Sequence, residues 1–435
     1  MANSKFSHSF LVGNFNGDVR QETLEKNGWQ LQVLGKNDYE ERLTMYYKSH
    51  VDSMLEAVGQ EKPEFLQTIH HYRVSFQEVA SGENVVGKAV KAGQPVSIRL
   101  SRGGEESDFV FQLVSLHLYL FPLDIALVAI EIDDSGADLD QMRLAHKLLI
   151  NWEENINQIA DERFLRLLSP LSNLIPGNDL STLVEDGNNL KIFQIVQTED
   201  EAPNDKLLFE IATFSPIGSA CGNKPNSLSE AYFKQLMAEN AVSTYYNWKA
   251  LSLVDSFTVL AGNGFHPWQW VNLYFPLIYL RCIFEKTYCF ARNNTYRLGL
   301  QETANQLSEE IADMEKYYFY NTISYNFQPN LLYESMAKGL DIKAEREELA
   351  RQIKERAKKV AKDRKEREER WRDGITIGLS VFAIFSIAWD LCSLLMQAYP
   401  EACPQLIAFN TLRIAIALLV FLFFVFFMIK RKKRQ

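Results

Sequence analysis

The sequence predicts an α/β domain, a mixed sheet with helices, followed by a long charged stalk helix and a C-terminal two-helix transmembrane hairpin. Three observations predict it. Residues 108–133 are rich in β-formers, with further strand-like runs before and after them. Residues 330–373 contain no proline, one glycine (Gly339) and dense Glu, Lys and Arg. Residues 374–397 and 405–429 are apolar runs, each longer than the roughly 18–20 residues that cross a bilayer. The domains read off this pattern are 1–215 (α/β, cytoplasmic), 216–328 (helical, cytoplasmic), 329–373 (stalk), 374–429 (hairpin) and 430–435 (basic tail).

The N-terminal part opens on Phe10, Leu11 and Val12, followed by a strand at 29–34 and a helix around 38–58. A further helix is expected at 66–79. It carries His70 and His71, but no third metal ligand lies at helical spacing, so the pair reads as surface histidines. Residues 82–104 are glycine-rich and read as strands joined by turns. They contain neither a dinucleotide fingerprint nor a P-loop. Arg99 and Arg102 are candidate phosphate ligands there, or simply a solvated strand end.

In 108–133, Val110, Leu113 and the run 116–121 form one strand, Pro122 interrupts, and 125–130 resumes as a buried strand. Asp133, Asp134 and Asp138, with Asp140, are candidate ligands for Mg2+ or another divalent cation, because hard cations take oxygen donors. The same residues suit a turn and an acidic first helical turn. A helix over 137–159 follows, then strands at 190–196 and 206–214. Ser227 and Glu230 form a capping box that opens a helix to about residue 260. Aromatic-rich 268–298 and amphipathic 301–320 read as further helices.

Charge is divided unevenly along the 435 residues. The net value is −9, yet residues 341–435 carry 19 Lys and Arg against 12 Asp and Glu, so the rest is strongly acidic. An acidic soluble part argues against direct nucleic-acid binding, which needs basic footprints. The five cysteines form no CxxC, and Cys221, Cys282 and Cys289 read as reduced thiols. Without a nucleophile elbow, HExxH or P-loop, no enzyme is expected.

In the stalk, Leu349, Ile353, Ala357 and Val360 make a thin apolar stripe at helical spacing. Such a stripe predicts packing between copies, hence a homo-oligomer. Basic residues flank both apolar runs on their outer sides, at 358–372 and 430–434, and the loop between them has none. The positive-inside rule then predicts a multi-pass protein of the cell inner membrane with both termini cytoplasmic.

On the first apolar run, Thr376, Ser380, Ala383, Ile387 and Asp390 recur every three or four residues and share one face, expected to line a pore. Leu379, Phe382, Phe385 and Trp389 fall elsewhere. Tyr399 and Glu401 lie in the outer loop. Asp390 and Arg413 are the charged side chains of the two runs. Each lies 16 residues from its inner end, roughly 24 Å at about 1.5 Å per residue, so the two share one level. Asp390 either pairs with Arg413 or forms a free acidic ring, while Arg413 alone would snorkel.

This layout resembles the CorA family. The resemblance covers the whole chain but rests on architecture. The family's Gly-Met-Asn signature is absent, and residues 397–404 read Gln-Ala-Tyr-Pro-Glu-Ala-Cys-Pro in its place. The resemblance implies a homopentameric channel with the first membrane helix lining the pore. Divergent CorA-like effectors of type III CRISPR antiviral defence resemble the layout too. They imply gating by a nucleotide second messenger, an adenylated S-adenosylmethionine (SAM-AMP). The expected function is therefore a ligand-gated membrane ion channel. The alternatives are a magnesium or other divalent-cation transporter, and a hairpin-anchored scaffold.

Overall fold

A computed structural model describes residues 3–32, 70–76, 93–102, 104–121, 125–184, 189–220, 228–267, 270, 275–297 and 322–398. The chain divides into two compact units, Met1–Ile353 and Lys354–Gln435.

The first unit is built on one mixed sheet, with ten strands among the described residues. They are β1 (Phe6–Asn14), β2 (Gln30–Gln32), β3 (His70–Ser75), β4 (Gln94–Arg102), β5 (Glu105–Phe121), β6 (Ile125–Asp133), β7 (Lys191–Gln197), β8 (Ala241–Val242), β9 (Trp248–Ser252) and β10 (Ser256–Ala261). The order is β2-β3-β5-β6-β1-β7-β10-β9-β8, with β4 also paired to β5. The β7–β10 pair is parallel, and the other described pairs are antiparallel.

The helices are α1 (Gln21–Lys26), α2 (Leu139–Ile150), α3 (Trp152–Ile159), α4 (Glu162–Leu167), α5 (Ser169–Ser172), α6 (Asp205–Ala212), α7 (Glu230–Asn240), α8 (Phe275–Arg297), α9 (Phe327–Gly339) and α10 (Ile342–Ala398).

Alternation sorts the strand side chains into two cores. Leu11, Leu116, Leu118, Val128, Ile130 and Ile132 join Met142, Ala145 and Leu149 of α2 in one. Phe10, Val12, Tyr119, Phe121, Leu127 and Ala129 join Ile278, Phe284, Met336 and Leu349 of α8, α9 and α10 in the other. Successive side chains point to opposite faces, so a sheet covered on both sides buries both sets. Each fully buried Leu, Ile or Phe contributes about 1.5–3 kcal/mol.

Several expected elements are corrected. Residues 70–75 of the expected helix at 66–79 form strand β3, because Tyr72 and Val74 alternate with His71 and Arg73 against β5. The expected strand at 206–214 is helix α6. Asn204 Oδ1 accepts from the amides of Lys206 (2.9 Å) and Leu207 (3.3 Å), which starts it. A short apolar run fits both periods, and here the cap decides.

The expected helix from Ser227 to about residue 260 stops at Asn240. It starts at Ser229, whose Oγ accepts from Tyr232 N at 3.2 Å. Its second half is the β9–β10 hairpin, closed by Leu253 N donating to Ser256 O at 2.8 Å. Residues 216–328 therefore contribute three strands to the sheet. The single helix expected over 137–159 is two, separated by Asn151 (φ −83°, ψ 58°). The helices expected at 38–58 and 301–320 lie outside the described residues.

Helix α10 runs 57 residues without interruption, from charged to apolar sequence. Leu349 is buried and Ile353 packs against the second core. Part of the apolar stripe is thus consumed within the chain, which removes part of the argument for packing between copies.

The expectation of a multi-pass inner-membrane protein is also corrected. Among the described residues one helix, over Ala361–Leu391, is long and apolar enough to cross a membrane. Hydropathy scores each apolar run separately, whereas a crossing needs a continuous helix of sufficient length. The second run, 405–429, lies outside the described residues, together with Tyr399, Glu401 and Arg413.

Candidate functional site

The most unusual chemistry in the first unit is a buried polar cluster on the sheet face toward α8. Strand β6 reads IALVAIEID, and alternation places Glu131 on the face of Leu127 and Ala129. On β5, Ser115, His117 and Tyr119 alternate with leucines and face the same way. A register shift between Leu113 and Ser115 brings Ser115 opposite Glu131. Strand β1 adds His8, in phase with Phe10, and β3 adds His71 and Arg73.

Glu131 is the hub. His8 Nε2 lies 2.9 Å from its Oε1, and His117 Nε2 lies 3.1 Å from its Oε2. Ser115 Oγ donates to Oε2. Arg73 Nη2 reaches Ser115 Oγ at 3.1 Å and stands 3.5 Å from the carboxylate. His71 Nε2 lies 2.9 Å from His117 Nδ1, and its ring stacks on Tyr119 at 4.2 Å between centroids. His8, His71, Ser115, His117 and Glu131 are buried, whereas the Arg73 side chain is 29% exposed and forms the rim.

The charge states follow from these contacts. Burial penalises the Glu131 carboxylate, but the hydrogen bonds and charges of His117 and His8 outweigh it and hold its pKa well below normal. Burial lowers His8, yet the bond to Glu131 and its charge prevail and raise it. For His117 burial prevails over Glu131, and its pKa falls to about 4. Near neutrality His117 is therefore a neutral ring. A neutral His117 that donates from Nε2 to Glu131 must accept at Nδ1, so His71 donates through Nε2. The chain His71–His117–Glu131 is a continuous hydrogen-bonded line with a neutral ring at its centre. Ser115, His117 and Glu131 are the residue types of a nucleophile triad, and Ser115 Oγ lies 3.0 Å from His117 Nε2, but Ser115 is fully buried.

A second buried pair lies on the opposite face. Asp134 Oδ2 is 2.8 Å from His146 Nε2 of α2, and both side chains are fully buried. His146 Nδ1 lies 2.9 Å from Gln194 Oε1, and Gln194 Nε2 donates to Thr258 Oγ1 at 2.7 Å. Burial raises the Asp134 pKa, but His146 more than offsets it, and the result is lowered.

The three candidate metal ligands are each engaged elsewhere. Asp133 Oδ1 accepts from Ser135 N at 2.9 Å in the turn. Asp134 is turned inward to His146. Asp138 caps α2, its Oδ1 accepting from the amides of Asp140 and Gln141 at 3.0 Å each. Among the described residues no group of three or more His, Cys, Asp or Glu is arranged to hold a metal ion. Arg99 Nε stands 3.8 Å from Glu106 on an exposed strand surface, and Arg102 ends β4 with its Cα paired to Glu105. Strand pairing thus sets both arginines beside acidic positions.

On α10, Thr376, Ser380, Ala383, Ile387 and Asp390 are all exposed. Thr376 Oγ1 donates to Arg372 O (2.9 Å) and Ser380 Oγ to Thr376 O (2.8 Å). These back-bonds satisfy hydroxyls without leaving the helix, as a span in hydrocarbon requires.

Sequence reasoning missed the Glu131 cluster and took His71 for a surface residue. His71 is 4% exposed; His70 is the exposed one. The available signal was Glu131 itself, a carboxylate inside an apolar strand run. Its partners come from three other strands, and no spacing rule links them. The chain matches no protein-family model, no curated protein and no solved structure.

Proposed function

We propose that this chain is the subunit of a ligand-gated membrane channel. Helix α10 crosses a membrane through its apolar part, copies assemble around an axis, and ligand binding to the α/β body opens the pathway. The observation that carries this reading is α10 itself. It is continuous from charged to apolar sequence, and Thr376, Ser380, Ala383, Ile387 and Asp390 share one exposed face within the span. A face that is small or polar except at Ile387 suits a water-filled axis, and the bulky remainder suits lipid. A ring of Asp390 would concentrate cations. Five copies and a gating ligand of the nucleotide or divalent-cation class follow from the CorA-like resemblance. A ligand opens such a pathway only if it binds the two states differently.

The test is ion flux in liposomes containing the full chain, titrated with SAM-AMP-type nucleotides and, separately, with Mg2+. Single cysteines at 382 and 387 probe the face. A water-soluble thiol reagent should label the 387 variant and spare the 382 variant, and equal labelling would falsify the assigned pore face.

A second reading is a membrane-anchored scaffold. It is favoured by Leu349 and Ile353, which pack within the chain and do not require other copies. Native mass spectrometry in detergent that shows only monomers, together with absent flux, would select it.

A further inference from the structure

A third buried charge cluster sits where α10 begins. Glu285 of α8 is fully buried, and its carboxylate receives three groups. Arg281 Nη2 lies 2.6 Å from Oε1, Arg346 Nη2 lies 2.9 Å from Oε2, and the Tyr333 hydroxyl of α9 reaches both oxygens at 3.3 and 3.4 Å. Arg281 also stacks over the Tyr333 ring at 5.1 Å. Immediately before Arg346, Glu345 Oε2 accepts from Asn293 Nδ2 at 2.9 Å. Arg281 is buried, but the Arg346 side chain is 32% exposed. Two helices are thus tied to α8 through one carboxylate, and the tie to α10 is the arm that water reaches.

Directly before this tie the chain turns. Helix α9 ends at Gly339, Leu340 is buried, and Asp341 adopts φ 57° before α10 starts at Ile342. Left-handed backbone at a helix C-terminus usually belongs to Gly or Asn, so Asp341 marks a defined break between two helices. A break followed within two turns by a charge tie is the geometry of a hinge and a latch.

We propose that Asp341 is the hinge, and that the Glu285–Arg346 pair, seconded by Asn293–Glu345, is the latch that keeps residues 342–353 docked on α8. Opening the latch also withdraws Ile342 and Leu349 from the second core, and frees the root of α10 while the sheet and the Arg281–Glu285–Tyr333 core stay folded. The difference in burial supports this division. Losing Arg346 leaves Glu285 with Arg281 and Tyr333, so the buried carboxylate keeps partners. The inference concerns the body alone and stands apart from the channel reading.

The test is hydrogen–deuterium exchange on the full-length protein in detergent, comparing Arg346→Ala with wild type. Amides of residues 343–353 should exchange at least about tenfold faster, while β5 and β6 keep wild-type protection. Asn293→Ala should give a smaller change in the same segment, and the effect of Arg346→Ala should shrink in an Asn293→Ala background. Wild-type protection of 343–353 in Arg346→Ala overturns the latch. So does loss of protection spread equally over the sheet, which would make the pair an ordinary part of the core. Liposome flux is read separately. Faster exchange without flux leaves the latch standing and counts against the channel.

Discussion

Strand β6 and the turn after it hold two buried carboxylates three residues apart, on opposite faces of one sheet. Glu131 gathers His8, His117 and Ser115 from three strand positions, with Arg73 at the rim. Among the described residues Asp134 has one ion-pair partner, His146, which is oriented by Gln194. Both carboxylates are buried and both are held in the charged form. The difference lies in what each stitches together. Glu131 joins strands that are already paired by backbone hydrogen bonds, whereas Asp134 joins the turn after β6 to α2. A helix–sheet contact made of one pair is an adequate structural device. A four-strand cluster with a neutral histidine at its centre exceeds what strand pairing needs, and buried groups of this kind concentrate at functional sites.

The largest expected effect separates the two carboxylates. Glu131→Gln removes the charge that compensates a raised histidine and a rim arginine, and should cost about 3–5 kcal/mol in urea unfolding. Asp134→Asn leaves an amide that can still hydrogen-bond the single histidine beside it, and should cost about 1–3 kcal/mol. Equal costs would break the contrast.

The second effect is in pH. An unfolded histidine titrates near 6.5, and folded His117 near 4. Between these values the unfolded chain holds the proton and the folded chain does not. Stability should therefore fall as pH drops from 6.5 to 4, by up to about 3 kcal/mol from this group. His8 acts oppositely, because its folded pKa is raised. Its contribution is complete below about pH 6.5 and is lost as pH rises through the folded value. Urea midpoints across pH should show His117→Asn flattening the acid limb and His8→Asn flattening the alkaline one. Unaltered limbs in these variants would remove the cluster from the pH response.

A third test asks whether the face covered by α8 and α9 tolerates adjustment. A Cβ on Gly339 would meet the Ser252 carbonyl carbon of β9 at 2.8 Å. Gly339→Ala should cost about 1–3 kcal/mol through overpacking, read as a lower thermal midpoint.

The smallest effect concerns the face covered by α2. Asp138→Ala should cost about 1 kcal/mol by uncapping α2, and Asp138→Ser should restore most of it. A serine that rescues marks a cap. If only Glu rescued, and only with added divalent cation, the metal reading would return.

The sheet's central strands were legible because local pattern and final environment agree there. The β5–β6 region combines β-formers with a break at Pro122, and few alternatives fit. Helix α10 was legible in part: the single stalk helix expected over 329–373 is cut at Asp341 (φ 57°) into α9 and α10, and only after that break do the charged and apolar segments adjoin as one helix. Errors fell where a segment fits two periods. Residues 205–212 became a helix through Asn204, and 241–261 became strands through pairing with β7 and with each other.

By itself the sequence determined the α/β body, the acidic balance of that body and the apolar stretch that ends α10. These depend on composition and on contacts between near neighbours in the chain. Only the tertiary structure decided that His8, His71, Ser115, His117 and Glu131 meet, that Glu285 ties α10 to α8, and that Asp133, Asp134 and Asp138 part company. Those contacts join residues separated by up to 123 positions for His8 and Glu131. A strand register that shifts by one residue would turn His8, His71, Ser115, His117 or Glu131 to the other face of the sheet. Register is set by the packing of both cores at once, and no local stretch of sequence contains that information.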